Sequence, residues 1–201
     1  MAGQSDEVLR VFAGAQDTFG RHVREAASAG LWPEPTPCTE WNVRDLVNHL
    51  TVEQLWVPEM LAGRTVAEVG DRFDGDVLGA DPAGAWEAAA AAARAAFAEP
   101  GAMERTVQLS YGPRPAVEYC REMIVDGVVH AWDLAVGVGG DRAMDPEAAE
   151  FALAAVAPIA DALASSGMFG PPVAVPADAG PQSRLLALLG RDPADPMRAA
   201  G

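Results

Sequence analysis

In the segment VDGVVHAWDLA, residues 125–135, Asp126 and His130 lie four positions apart. On a helix, side chains at i and i+4 share one face with their Cβ atoms about 5–6 Å apart, so a carboxylate and an imidazole in this register can reach a single ion. The same spacing also suits a hydrogen-bonded couple or a solvated acidic face, and the pair alone does not choose between them. A second histidine, His49, ends the run WNVRDLVNH and borders an apolar stripe, three residues after Leu46 and next to Leu50. His49, Asp126 and His130 together offer two nitrogens and one oxygen, the ligand number of a catalytic zinc site that keeps a position for water or substrate. Gly127, beside Asp126, is costly in a helix interior, where alanine is about 1 kcal/mol better. Close approach of a neighbouring helix or ligand would account for it.

Such a trio works only if two helices hold it face to face, so the elements matter next. Val8, Val11, Phe12, Phe19 and Val23 recur at helical spacing and predict a helix over 5–29, closed by the proline-rich GLWPEPTPCTE. A second helix, 43–62, has a marked start: Asn42 as N-cap, Asp45 completing a capping box, Trp41 and Leu46 as a staple, and Gly63 as a stop. A polar, glycine-rich connection over 63–80 leads to a third helix, 82–98. One short extended segment, 106–111, is expected to close at a Gly112-Pro113 turn. A fourth helix follows over 115–137. A fifth, 146–165, takes Asp145 as N-cap and Pro146 as N1, and a proline-restricted tail holds a short helix over 181–189. Four long helices and one long crossover predict an all-α protein, a four-helix bundle in a single domain. Its core spans about 5–138, and its C-terminal extension, about 139–201, carries the extra helix.

Composition narrows the function classes. The formal charge of −15, with every one of the fourteen basic residues an arginine, opposes binding to nucleic acid or an anionic membrane. The start MAGQSDEVLR lacks a secretory layout, and no apolar run is expected to reach the length of a membrane span. A cytoplasmic protein is predicted, with Cys38 and Cys120 as small, partly buried thiols.

The stretches TPCTEWNVRDLVNHL (36–50), DGVVHAWDLA (126–135) and MFGPPVAVPADAGPQSRLLALLGRDP (168–193) resemble the metal-binding bundle proteins related to the N-terminal domain of mycothiol-dependent maleylpyruvate isomerase, in the DinB-like superfamily. The resemblance covers almost the whole chain and implies a DinB-like four-helix bundle. It also implies a divalent metal, usually zinc, held at the positions of His49, Asp126 and His130. The family has glutamate where this chain has Asp126. The carboxylate is kept one methylene shorter, so it must draw the helix toward the ion or bind through water. Glu53 and Glu122, each four residues from a ligand, are substitute ligands or surface acids. Asp133 could orient an imidazole, pair with Arg44 or cap a loop. His22 reads as surface or interhelical filler, while Trp56, Trp86, Phe73 and Tyr111 could line a pocket.

Three functional classes follow. The resemblance favours a metal-dependent thiol transferase or isomerase-like enzyme acting on a small molecule, with mycothiol as co-substrate. The isomerase itself has a second domain, and the short stretch after residue 135 predicts that its specific activity is missing here. The other classes are a thiol-independent metalloenzyme of specialised metabolism, and a non-catalytic binding or homodimerising bundle that has lost its metal.

Overall fold

The first helix, α1 (Ala2–Ala29), buries Val8, Phe12, Phe19 and Val23, the stripe its spacing predicts, and gives way to Gly30 at φ 68°. The computed structural model describes residues 2–166 and 169–197, so Met168, which opens the third motif, lies outside the described residues. Helix α2 (Val43–Leu61) starts as expected: the Asn42 side chain accepts from the Asp45 N–H, and the Asp45 carboxylate accepts from the Asn42 N–H. The connection after it is more structured than predicted. A short helix, α3 (Val66–Val69), forms there because Thr65 and Glu68 make a second capping box, a T-x-x-E signal present in the sequence.

Helix α4 (Pro82–Phe97) is capped by Asp81. Next comes a hairpin rather than a single extended segment. Strand β1 (Thr106–Leu109) pairs antiparallel with β2 (Gly112–Pro115), Leu109 opposite Gly112 and Thr106 opposite Pro115. Gly112 and Pro113, expected at the turn, sit in β2, and Ser110 and Tyr111 turn the chain. The prolines are tolerated because β2 has only one neighbour and needs no donors on its outer side.

Helix α5 (Ala116–Val138) buries every residue from Gly127 to Ala135 and ends at Gly139, φ 69°. The expected fifth helix is broken. Helix α6 (Pro146–Val156), capped by Asp145, passes through a 3-10 turn at Ala157–Ile159 into α7 (Ala160–Ser166). Pro158 explains the break, since it lacks the N–H that an unbroken helix needs. This stretch also corrects the membrane expectation: Pro146–Ser165 is long and apolar enough to span a bilayer by length and composition, with mean hydropathy 1.4. The last helix is α8 (Pro181–Leu188).

The protein is therefore mostly helical, with one small sheet. Helix α1 packs on α4 and α5, and α2 packs on the same two, so the four long helices close a ring with α6 against its outside and α8 packed on α6. Trp86 belongs to the core and lies away from the cleft that His49 and Asp126 line: it is 2% exposed, with its ring 4.6 Å from that of Phe19. A Cβ added at Gly127 would meet the Ala15 Cβ at 3.5 Å, an ordinary contact. Helices α1 and α5 do approach closely there, but the approach does not require glycine.

Candidate metal centre

One face of α2 presents His49, and the facing stretch of α5 presents Asp126 and His130. The Asp126 carboxylate lies between the two rings, with Oδ2 at 3.6 Å from His49 Nε2 and Oδ1 at 3.4 Å from His130 Nε2. One donor atom from each of the three residues falls within 4.8 Å of the others. Ligands about 2.0–2.1 Å from a tetrahedral ion stand about 3.3–3.4 Å apart, and the two carboxylate–imidazole separations, made by different oxygens, are of that order. The Asp126 carboxylate, one methylene shorter than a glutamate's, comes within 3.6 Å of both imidazoles. The ring of Trp41 lies 4.6 Å from that of His49, tilted 32°, and covers one side of the cluster.

Behind His130 stands a fixed support. Asp133, fully buried, bonds His130 Nδ1 at 2.8 Å. It also receives two bonds from Arg191: Nη2 to Oδ2 at 2.7 Å and Nε to Oδ1 at 3.0 Å. Burial alone would raise the Asp133 pKa, but the Arg191 charge and the His130 bond hold it well below the usual carboxylate range. A carboxylate can only accept, so Nδ1 carries a proton, and Nε2, which faces Asp126, is the nitrogen left for an ion. The pairing of Asp133 with Arg44 does not occur, because Arg44 bonds Asp76 and the Gly79 carbonyl.

Cys38 joins this support. Its thiol donates to Asp133 Oδ2 at 3.4 Å, and its pKa is pushed up to about 12, first by burial and then by the Asp133 charge. Cys38, His130 and Asp133 form a second group with metal-binding atoms. Arg191 already supplies the cation there, bonding Asp133 twice and lying 3.7 Å from the sulfur. Arg191 is the residue that sequence reasoning missed. It is anchored locally by Gly190, whose φ is 77° and where a Cβ would fall 2.8 Å from the Gly170 backbone, so only glycine fits.

Two of the three, His49 and Asp126, line a cleft of about 480 Å³ between α2, α5 and the hairpin. Trp56, Met60, Leu109 and Tyr119 give it apolar walls, and Phe73 packs edge-on against Trp56 at 5.6 Å. Glu53, Glu122 and Asp126 line it, and among the described residues no arginine does. Neither glutamate joins the cluster of potential ligands among the described residues. The Tyr111 hydroxyl donates to Glu122, while burial, then the Asp126 charge, raises the pKa of Glu53. At Asp126, burial is outweighed by His130 and His49, and the pKa is lowered.

Residues 12–135 match the family described as the mycothiol maleylpyruvate isomerase N-terminal domain. The chain belongs to that family. An uncharacterized protein of Mycobacterium tuberculosis, found in the CDC 1551 / Oshkosh and H37Rv strains, is 36% identical over 183 residues, covering 88% of this chain and 93% of its own. No solved structure matches the chain. In this member of the isomerase N-terminal domain family, the match runs from α1 through His49, Asp126 and His130 and stops at Ala135. Arg191 thus reaches the centre from outside the matched region.

Proposed function

We propose that this family member holds one divalent ion, zinc by the donor set, at His49, Asp126 and His130. On this reading it is a thiol transferase or isomerase-like enzyme acting on a small molecule, with a low-molecular-weight thiol such as mycothiol as co-substrate. The observation that carries the reading is the convergence of three donors beside a cleft that His49 and Asp126 line, with Nδ1 of His130 bonded to Asp133. When bound, such an ion favours the thiolate form of a thiol, the competent nucleophile at neutral pH.

The chain's own residues do the rest. Asp133 and Arg191 hold the His130 ring in one tautomer, and Trp41 shields His49 from water on one side. Glu53, in the cleft and with a raised pKa, is placed to take up the proton a thiol gives up. Trp56, Met60 and Leu109 supply an apolar seat for the second substrate. Away from the ion, Glu53 and Glu122 line the walls with no arginine among the described residues, an arrangement that disfavours a dicarboxylate such as maleylpyruvate. A neutral or cationic acceptor fits better, which favours S-transfer over the isomerisation. The acidic surface is in keeping with a cytoplasmic protein that has neither a nucleic-acid nor a membrane partner.

The test combines elemental analysis of protein purified without chelator with thiol transfer to a neutral electrophile, 1-chloro-2,4-dinitrobenzene. One ion per chain is expected, with transfer lost on chelation and in His49→Ala. Absence of stoichiometric metal would defeat the reading. Turnover of a small-molecule substrate without any thiol would move it to the thiol-independent metalloenzyme class.

A further inference from the structure

The face of α5 turned away from the metal ligands borders a second cavity, of about 280 Å³, enclosed by α1, α5 and residues 141–148. Its floor is apolar, made by Val11, Ala15, Val128 and Ala131, all buried. Two polar rings are set into this apolar surface. His22 is 1% exposed and Trp132 3% exposed, and both line the cavity. Glu25 takes the Nδ1 of His22 at 2.7 Å. Among the described residues, neither His22 Nε2 nor Trp132 Nε1 has a hydrogen-bond partner, yet neither is an atom sealed from solvent. Groups at this depth are nearly always satisfied, so each is open to a partner that the cavity admits.

The two groups are complementary. Glu25 accepts from Nδ1–H, which leaves Nε2 of the neutral imidazole as an acceptor, whereas the Trp132 indole can only donate. A hydroxyl group donates and accepts at once. The rim is close to balanced in charge: Arg10 is tied to Glu147, Asp145 caps α6, and Asp141 lies beside Arg142. An anion gains little there. We propose that this cavity is a second small-molecule site, for a neutral apolar molecule with a hydroxyl head that bridges Trp132 Nε1–H and His22 Nε2. It is separate from the metal centre, and its occupancy does not depend on an ion.

Phenol is the probe, titrated into the full chain while the methyl resonances of Val11, Val128 and Met144, which line this cavity, are followed by NMR. Saturable shifts are expected, unchanged by chelation or by His49→Ala. Anisole, which accepts but cannot donate, is expected to bind roughly tenfold more weakly, the scale of one hydrogen bond lost. Gly14→Leu should abolish the shifts without unfolding the protein: a Cβ at Gly14 meets nothing within 4 Å, and leucine improves helix propensity. His22→Phe should weaken phenol binding roughly tenfold, to the level of anisole. No saturable shift, or shifts that survive Gly14→Leu, would overturn the site. Equal binding of phenol and anisole would overturn the hydroxyl assignment.

Discussion

Asp133 serves three neighbours with two oxygens: it bonds the His130 ring, holds the Arg191 guanidinium and accepts from the Cys38 thiol. Asp133→Asn removes the charge that fixes the His130 tautomer and leaves a buried arginine without its partner. Metal affinity is expected to fall roughly 10–100-fold, as for other residues that orient a ligating histidine, and chelator-dye competition measures it. Stability is expected to drop by about 3–5 kcal/mol, read from urea unfolding. His49 gives a pH prediction. Burial lowers its pKa, but the Asp126 bond, the Asp126 charge and Glu53 outweigh that, so the folded value is raised. The protonated pair therefore contributes stability that is complete below the unfolded value of about 6.5 and is lost as pH rises through the folded value. Metal binding runs the other way, because the ligand must shed its proton. The gap in Tm between metal-loaded and chelated protein should widen as pH rises above the unfolded value. A gap that narrows instead would remove His49 from the ligand set.

Two glycines of α5 separate a loose contact from a tight one. Gly127→Ala is expected to be neutral or to stabilise by up to about 1 kcal/mol, since its Cβ meets only Ala15, at ordinary distance. At Gly137 a Cβ would stand 2.9 Å from Val43 Cγ2 and 3.1 Å from the Pro35 carbonyl. Gly137→Ala should cost about 1–3 kcal/mol, because backbone cannot yield as a side chain does; denaturant midpoints of the two variants decide it. The helices themselves were legible in the sequence wherever a local signal was strong. The Asn42–Asp45 box and the Asp145–Pro146 start fall where expected. The hairpin was not legible, because Gly112 and Pro113 carry turn chemistry yet sit on an edge strand that tolerates it. The break after Val156 was marked by Pro158, whose effect the surrounding alanines mask in a periodicity reading.

On the scale of the whole molecule, the trio of His49, Asp126 and His130 could be found from two motifs, but the residue that braces it could not. Arg191 stands 58 positions from Asp133, and nothing around it in sequence names its partner. Arg191→Met keeps the bulk and removes the charge, so metal affinity should fall while all three ligands remain; a loss confined to stability, with affinity intact, would make the arginine a structural tie only. The field of the cleft adds a second expectation. Among electrophilic acceptors of equal size, the neutral one should react faster than the dicarboxylate, with the difference shrinking as salt screens Glu53 and Glu122. Arg191 also imposes an order in time. A nascent chain grown past His130 but not yet to residue 191 displays every ligand without the brace that fixes them. Synthesis of the C-terminal segment, rather than of the three candidate ligands, then sets the moment at which Asp133 gains its arginine and the support of His130 is complete.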